Sequence, residues 1–262
     1  MELPRNRFKQ ALRAGTAQVG LWSGLGTANS AELCAAAGFD WLLLDAEHGF
    51  NDVLGIQPQL QAVAPYATSA VVRPPAGDPA LIKRYLDLGA QSLLVPMIDT
   101  PEQARALAAA ACYAPAGIRG MATMTRAARW GRVRDYIQRA REEICVIAQI
   151  ESVTGLANLD AIAAVEGIDA LFIGPADLAA SKGHPGQPGH PEVAAAIEHA
   201  IRRARELGKP VGILTLDEAQ AKHYFELGCS FVAVGIDVVI LARAVDALRA
   251  RFKGGSAGAS GY

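Results

Sequence analysis

The chain has 262 residues, of which 51% are hydrophobic, and its formal net charge is −1 at pH 7. This length and apolar content allow one large α/β domain, and the near-neutral charge gives no electrostatic basis for binding nucleic acid or an anionic membrane. The four cysteines form no C-x-x-C pair, which argues against a disulfide or zinc framework. The charged start of the chain lacks the apolar stretch of a signal peptide, and no apolar run reaches the ~20 residues of a membrane span, so we expect a cytoplasmic protein.

Short apolar runs recur along the chain and are separated by longer stretches with helical periodicity. Continuous hydrophobicity over a few residues is typical of parallel strands that are covered on both faces. Eight such runs predict strands at residues 19–22, 41–45, 70–73, 92–96, 146–150, 170–173, 211–214 and 231–234. Nine other stretches predict helices at residues 30–37, 52–64, 79–88, 101–111, 134–143, 155–164, 191–207, 217–227 and 237–251.

The alternation of strands and helices predicts the fold class. Helix boundaries have local signals, such as Asp78-Pro79, which places proline at the first position of a helix. Eight strands followed by helices predict an α/β fold, a (β/α)8 TIM barrel, as a single domain over residues 1–253. A doubly wound open sheet is the alternative, but no G-x-G-x-x-G follows the first strand. Residues 254–262 are small and of low complexity, so we expect a flexible C-terminal tail.

Two segments interrupt this alternation. Residues 113–131 are rich in glycine, arginine, methionine and threonine, and a loop of that length in a compact domain is usually functional. Residues 181–190, with the sequence SKGHPGQPGH, follow the sixth strand and should lie over the C-terminal face of the barrel. Of the histidines outside the strand ends, only His184 is kept as a functional candidate.

Two carboxylates stand at the ends of neighbouring predicted strands. Glu151 follows the fifth strand directly, and Asp177 follows the sixth strand after Gly174-Pro175-Ala176. Parallel strands in a strand–helix–strand unit bring both carboxylates to one edge of the sheet. Two hard oxygen ligands predict a Mg²⁺- or Mn²⁺-type ion that keeps open positions for water and substrate. The alternatives are a helix N-cap for Asp177 and a solvated strand end for Glu151.

Other polar residues follow the strands at the same end, where barrel enzymes place their chemistry. Asp45-x-x-His48 follows the second strand, and a carboxylate near an imidazole suits general-base catalysis. Arg73 ends the third strand, where a guanidinium could hold a carboxylate or stabilise an oxyanion. A salt bridge between Arg73 and a neighbouring acid is the structural alternative. Trp22 and Gln149 are the further strand-end candidates.

Residue types that are missing from the strand ends narrow the chemistry. No lysine stands at the C-terminal end of a predicted strand, which disfavours Schiff-base catalysis. The last two strands lack a glycine-rich phosphate-binding turn, so we expect an unphosphorylated substrate. No serine occupies a nucleophile elbow.

The strand-end motifs resemble those of one family, the metal-dependent (class II) pyruvate aldolases of the 4-hydroxy-2-oxoheptanedioate and 2-keto-3-deoxy-sugar-acid type. The resemblance extends from about residue 8 to residue 251. It rests on the motifs GLW at 20–22, GFDWLLLD-x-EH at 38–48, VVRP at 71–74, LVPM at 94–97, GIRG at 117–120, QIE at 149–151 and FIGPADL at 172–178.

This resemblance implies a (β/α)8 barrel that usually assembles as a homo-hexamer, with the last helix exchanged between subunits. It implies that Glu151 and Asp177 hold a divalent metal ion, which could be Mg²⁺, Mn²⁺ or Co²⁺. It also implies that Arg73 contacts the pyruvate oxygen and that Asp45 and His48 form the catalytic dyad. We further predict that the substrate is bound by Trp22, Arg73, Gln149, Gly174, Pro175, Ala176 and Asp177.

The expected reaction is that of a carbon–carbon lyase, which reversibly cleaves a 4-hydroxy-2-oxo acid into pyruvate, or a close 2-oxo acid, and an aldehyde. The chain departs from the family pattern at residues 121–125 and beside the dyad, at Ala46 and Gly49-Phe50. Both departures lie where the aldehyde would sit, so the resemblance does not identify the aldehyde.

Three other functions remain open at this point. An acyl-CoA lyase of the malyl- or citryl-cleaving type shares the metal and enolate chemistry, but it needs a nucleotide site for which we identify no basic cluster. An enolase-type isomerase would require a third carboxylate ligand and a strand-end lysine. A non-catalytic barrel that serves in binding or assembly is the third alternative.

Overall fold

The computed structural model of the protein describes residues 1–253. Eight parallel strands form a closed barrel in which each strand pairs with the next and the last pairs with the first. This closure confirms the (β/α)8 barrel and rules out the open sheet, while the predicted tail at 254–262 lies outside the described residues. The strands are β1 (Gln18–Ser23), β2 (Trp41–Asp45), β3 (Ser69–Arg73), β4 (Ser92–Val95), β5 (Cys145–Ile150), β6 (Ala170–Ile173), β7 (Val211–Leu214) and β8 (Phe231–Ile236).

Helices surround the barrel, and most of them lie within one or two residues of the predicted bounds. The helices of residues 1–253 are α1 (Arg7–Arg13), α2 (Ala28–Ala36), α3 (Val53–Val63), α4 (Pro79–Asp87), α5 (Pro101–Ala110), α6 (Tyr136–Arg139), α7 (Val153–Ala157), α8 (Leu159–Ala163), α9 (Pro175–Ser181), α10 (Pro191–Glu206), α11 (Glu218–Leu227) and α12 (Asp237–Lys253), with a 3-10 helix at Ala140–Glu143.

The differences from the prediction concern short helices. Helices α1 and α9 were not predicted, because each has only seven residues and therefore too few turns to show a helical period. The helix predicted at 155–164 is divided into α7 and α8 at Asn158, whose side chain donates a hydrogen bond to the backbone oxygen of Asp99 (2.7 Å).

Aromatic rings fill the N-terminal end of the barrel. Phe8 of α1 inserts there, with ring centroids 5.8 Å from Trp41 and 5.2 Å from Phe231. Gly20 and Gly212 make room for these rings, because a Cβ at either position would lie only 2.1 Å from an atom of Trp41 or 2.3 Å from one of Phe231. The barrel is therefore filled at this end, and the C-terminal ends of its strands lie at the other.

The long segment 113–131 contains no helix or strand, as expected, but it is anchored to the barrel. An isolated bridge pairs Tyr113 with Arg119. The guanidinium of Arg119 lies 4.4 Å from the ring centroid of Tyr113 and forms a 2.7 Å ion pair with Asp87. Arg119 is 3% exposed, so this arginine of the GIRG motif has a structural role.

The last helix, α12, leaves most of its surface uncovered. Of its 17 residues only Asp237 is buried. None of the helices within residues 1–253 combines the length and the apolar character that crossing a bilayer requires. The exposed apolar side chains of α12 recur at intervals of three and four residues, as on one face of a helix. The large apolar residues of α12 that are at least 40% exposed are Val238, Ile240, Leu241, Val245, Leu248 and Phe252.

Candidate active site

The fifth and sixth strands bring the two predicted metal ligands to one edge of the barrel. Glu151 follows β5 and is only 2% exposed. It accepts hydrogen bonds from the backbone N–H of Met97 (2.8 Å) and from the side-chain amide of Gln149. Gly174, at the end of β6, lies so close that a Cβ there would be 2.5 Å from a carboxylate oxygen of Glu151. The absence of a side chain at Gly174 therefore allows the turn that carries Asp177 to approach Glu151.

Asp177 is the third residue of α9 and is exposed. The N-cap of this helix is Gly174, and the cap has no side-chain hydrogen bond, so the alternative capping role for Asp177 is wrong. Burial also rules out the alternative for Glu151, a solvated strand end. The charge of Asp177 contributes to the raised pKa of Glu151, as expected for two carboxylates that follow neighbouring strands at one edge of the barrel.

The electrostatics of Glu151 suit a cation. Burial raises the pKa of Glu151 to about 7; the hydrogen bonds from Met97 and Gln149 oppose the rise, and the charges of Asp177 and Glu47 add to it. Within residues 1–253, no basic side chain forms an ion pair with Glu151 or Asp177. The two carboxylates offer only oxygen atoms as metal ligands. The side-chain oxygen of Gln149 is also buried, and it has no hydrogen-bond partner within residues 1–253. The set therefore fits a hard divalent cation such as Mg²⁺ or Mn²⁺.

A second cluster lies across β2 and β3, where Asp45 and Arg73 are directly opposite in the strand register. Arg73 is 6% exposed and donates to both oxygens of Asp45, from Nε at 2.9 Å and from Nη2 at 2.7 Å. Its Nη1 lies 2.7 Å from Glu47, and its guanidinium lies over the ring of Trp22 at 4.6 Å. The salt bridge considered as an alternative for Arg73 is therefore present. It uses three of the five guanidinium N–H groups.

These contacts set the charge state of the cluster. Burial would raise the pKa of Asp45, but the hydrogen bonds and charge of Arg73, with a 3.0 Å hydrogen bond from Trp22, hold it below its usual range. Burial raises the pKa of Glu47 in spite of the attraction of Arg73. Asp45 is thus a fixed anion that holds Arg73 in one plane.

The structure corrects the expected contact between Asp45 and the imidazole of His48. The side chain of His48 is 69% exposed, and its Nε2 lies 3.9 Å from Glu47. Asp45 instead accepts hydrogen bonds from the backbone N–H groups of Glu47 (3.0 Å) and His48 (3.4 Å). The physical reason is competition, since Arg73 and Trp22 already occupy both oxygens of Asp45. Asp45 therefore fixes the turn that carries His48, and Glu47 is the carboxylate nearest its ring.

The sequence analysis assigned no role to two residues of this region. Glu47 stood in the quoted motif, and its position two residues after a strand end was the available signal. Met97 has a φ of 56°, in the left-handed region that a non-glycine residue rarely adopts, and its N–H points to Glu151. No feature of the sequence indicates that conformation. His184, kept as a candidate, is hydrogen-bonded to Glu192 and not to this cluster.

No lysine of residues 1–253 stands at the C-terminal end of a strand. Lys9, which the sequence analysis did not consider, is 3% exposed, and burial lowers its pKa. Its Nζ is 3.2 Å from Asp169, which precedes β6 and so lies at the opposite end of the barrel. The other lysines considered are Lys83 in α4, Lys182 after α9, Lys209 before β7 and Lys222 in α11.

The chain is similar in sequence to known proteins over nearly its whole length. The profile of the HpcH/HpaI aldolase/citrate lyase family matches residues 18–244. A hydroxypyruvate/pyruvate aldolase of Pseudomonas aeruginosa is 58% identical over 257 residues, which cover 98% of this chain and 96% of the relative. A 4-hydroxy-2-oxo-heptane-1,7-dioate aldolase of Escherichia coli is 54% identical, with 94% of this chain and 95% of the relative covered.

A crystal structure of a HpcH/HpaI aldolase/citrate lyase family protein from Burkholderia cenocepacia gives a TM-score of 0.90 at 42% sequence identity. The match covers 93% of this chain and 98% of that one. Sequence and structure therefore agree over nearly the whole length, from β1 into α12. The chain belongs to the HpcH/HpaI aldolase/citrate lyase family.

Proposed function

We propose that this protein is a divalent-metal-dependent pyruvate aldolase, which reversibly cleaves a 4-hydroxy-2-oxo acid into pyruvate, or a close 2-oxo acid, and an aldehyde. The observation that carries the proposal is the buried carboxylate of Glu151, which lies at the same edge of the barrel as Asp177 and has no cationic partner in residues 1–253. The aldolase names of the relatives that are 58% and 54% identical support the reaction type.

Glu151 and Asp177 would hold the ion, which we propose to be Mg²⁺, Mn²⁺ or Co²⁺. When bound, such an ion supplies Lewis acidity that polarises the keto group of a 2-oxo acid. The chain orients Glu151 for this role through the N–H of Met97 and the amide of Gln149. The turn from Gly174 through Pro175 and Ala176 to Asp177 adjoins Glu151, so we place the 2-oxo acid against this turn.

Arg73 would stabilise the negative charge that develops on the keto oxygen. Two of its N–H groups remain after the bonds to Asp45 and Glu47, and the buried position of the guanidinium strengthens its electrostatic effect. Asp45, Glu47 and the ring of Trp22 fix the plane of the guanidinium. In this proposal the salt bridge and the catalytic role of Arg73 are compatible, because the acids use three of its five N–H groups and leave one on Nη1 and one on Nη2.

His48 would move the protons. In the cleavage direction the imidazole removes the proton from the C4 hydroxyl, the C3–C4 bond breaks, and its electron pair passes to the 2-oxo acid as an enolate. The fragment that contains C4 separates as the aldehyde, and the proton held by His48 returns to the enolate at C3, directly or through a bound water, to give pyruvate. The exposure of His48 suits this role, because the aldehyde end of the substrate faces the open end of the barrel.

The test is a screen of 4-hydroxy-2-oxo acids for pyruvate release, with and without a chelator. We expect release that the chelator abolishes and that Mg²⁺, Mn²⁺ or Co²⁺ restores. A screen of acyl-CoA esters under the same conditions serves as the comparison. Cleavage of the esters alone would establish the acyl-CoA lyase, and metal-saturated protein without turnover of any substrate would favour the non-catalytic barrel.

We also propose that the protein is a homo-oligomer, specifically a hexamer, in which α12 packs on another subunit. The uncovered apolar side chains of α12 support this assembly. A cytoplasmic location is part of the same proposal. Its support is that all four cysteines are free thiols, as a reducing compartment keeps them.

A further inference from the structure

Two histidines and a glutamate converge where the loop after α9 meets the start of α10. One ligand atom from each of His184, His190 and Glu192 lies within 4.8 Å of the other two. The imidazole rings stack with centroids 3.5 Å apart and planes inclined by 15°. Nε2 of His184 is 3.1 Å from a carboxylate oxygen of Glu192. In the part of the chain that the structure describes, no other three histidine, cysteine or acidic side chains are grouped in this way.

The backbone, and not the stacking alone, fixes the two histidines. The loop between them consists of two consecutive β-turns, each with proline followed by glycine at its centre. The N–H of Gln187 donates to the carbonyl of His184 (3.1 Å), and the N–H of His190 donates to the carbonyl of Gln187 (3.0 Å). Gly186 has a φ of 73°, which a type II turn requires at that position. Proline fixes a further φ angle in each turn, so the backbone positions of the two histidines are set before any ligand arrives.

We propose that His184, His190 and Glu192 form a second metal site, for a first-row divalent ion that prefers imidazole, such as Zn²⁺, Co²⁺ or Ni²⁺. Two imidazole nitrogens and a carboxylate oxygen are a common ligand set for these ions, with water in the fourth position. Donor atoms in a tetrahedral zinc site are about 3.3 Å apart, given metal–nitrogen distances of about 2.0–2.1 Å. His184 Nε2 and the Glu192 carboxylate oxygen, 3.1 Å apart, are already near that separation. The stacked rings direct their lone pairs in parallel, so the His190 ring must rotate out of the stack to complete the set.

The hydrogen bonds of the cluster leave the required lone pairs accessible. Nδ1 of His190 accepts only a long hydrogen bond, 3.3 Å, from the backbone N–H of Glu192 at the start of α10. An ion that takes this lone pair leaves an N–H at an exposed helix end, where water can replace the acceptor. At His184 the ion would replace the proton shared with Glu192, and Nδ1 would keep the ring's remaining proton.

The chemistry of this site differs from that of the pair formed by Glu151 and Asp177. That pair offers oxygen donors only, which suit Mg²⁺, whereas imidazole binds Mg²⁺ weakly. Excess Mg²⁺ should therefore saturate the carboxylate pair and leave the histidine site free. The proposal does not depend on the reaction that the protein catalyses.

The test is calorimetric titration of the full-length, metal-depleted protein with Zn²⁺ in excess Mg²⁺. We expect one Zn²⁺ per chain, and a loss of affinity of about tenfold or more in His184→Asn. His223→Asn is the matched control, because His223 also pairs with a glutamate, Glu198 at 2.9 Å, but belongs to no group of three donors. Its Zn²⁺ affinity should equal that of the wild type.

Two further variants make the result specific. His190→Asn keeps a good N-cap residue for α10 but removes the ring nitrogen, so it should lose Zn²⁺ binding without loss of thermal stability. Glu151→Gln should retain the Zn²⁺ site. Stoichiometric visible absorption of bound Co²⁺, present in the wild type and lost in His190→Asn, would give independent support. The proposal is overturned if the wild type takes up no Zn²⁺ in excess Mg²⁺, or if His184→Asn and His223→Asn bind it equally.

Discussion

Glu151→Gln tests whether the ionised carboxylate of Glu151 lowers the stability of the folded protein when no metal is bound. Burial raises the pKa of Glu151 from 4.5 to about 7. Ionisation of this carboxyl therefore lowers the free energy of unfolding by about 3 kcal/mol. Because the folded state holds the proton more tightly than the unfolded state, stability falls as pH rises from about 4.5 to about 7, and the full loss is present above that pH. Glutamine carries no charge and avoids this loss.

The surrounding hydrogen bonds can accept the substitution. The N–H of Met97 would donate to the amide oxygen of the new glutamine, as it does to the carboxylate. Gln149 would turn over its amide, so that its oxygen, now buried without a partner in residues 1–253, accepts from the new N–H. We therefore expect the metal-free variant to be up to about 3 kcal/mol more stable than the wild type above pH ~7, or about 6–12 °C in Tm.

The assay is thermal unfolding of metal-depleted wild type and variant between about pH 5 and pH 8.5, with Glu226→Gln, at an exposed position, as the control. The Tm difference should be small at the acid end and largest at the alkaline end for Glu151→Gln, and near zero throughout for the control. Added Mg²⁺ or Mn²⁺ should reverse the order, since only the wild type gains stability from binding. A Tm difference that does not change with pH would refute the electrostatic reasoning.

Four further predictions concern neighbouring elements. Gly174→Ala places a Cβ 2.5 Å from the carboxylate at the end of β5, so Mn²⁺ affinity should fall by about tenfold or more, whereas Gly189→Ala, with nothing within 4 Å, should not change it. Arg73→Lys keeps the charge but loses the planar fork, and should slow exchange of pyruvate methyl protons with deuterium; wild-type exchange would return Arg73 to a purely structural role. His48→Ala should lower turnover by about 10²–10⁴-fold while pyruvate still binds, which a binding titration checks. Leu241→Glu puts a charge on the uncovered face of α12 and should lower the mass measured by light scattering; an unchanged hexamer would show that this face is not an interface.

The strands of this fold were predictable because burial on both faces gives each one a continuous apolar run. The strand β2 (Trp41–Asp45) was predicted with its observed bounds, since all five of its residues are buried. Helices of seven residues were not predictable, because α1 and α9 are too short to show a period and depend on contacts with distant parts of the chain. Asn6, for example, caps α1 and also hydrogen-bonds Ser92.

In the candidate site, the sequence predicted where the residues lie but not which neighbours their side chains contact. Strand-end position placed Glu151, Asp45 and Arg73 correctly, because parallel strands end at one edge. Spacing could not decide which neighbour Asp45 would bind. A bidentate guanidinium offers two charged hydrogen bonds, whereas an imidazole offers one, so Arg73 occupies the carboxylate and His48 turns outward.

The aromatic filling of the barrel has a consequence for the order of events in the proposed reaction. With Phe8, Trp41 and Phe231 packed across the N-terminal end, both products must depart through the one mouth that the substrate entered. In the proposed reaction the 2-oxo acid half would lie beside Glu151, which is 2% exposed, and the aldehyde half beside the largely exposed His48. The aldehyde would therefore block the exit of pyruvate and leave first. In the synthetic direction we expect pyruvate to enter first, which would make the kinetics sequential and ordered.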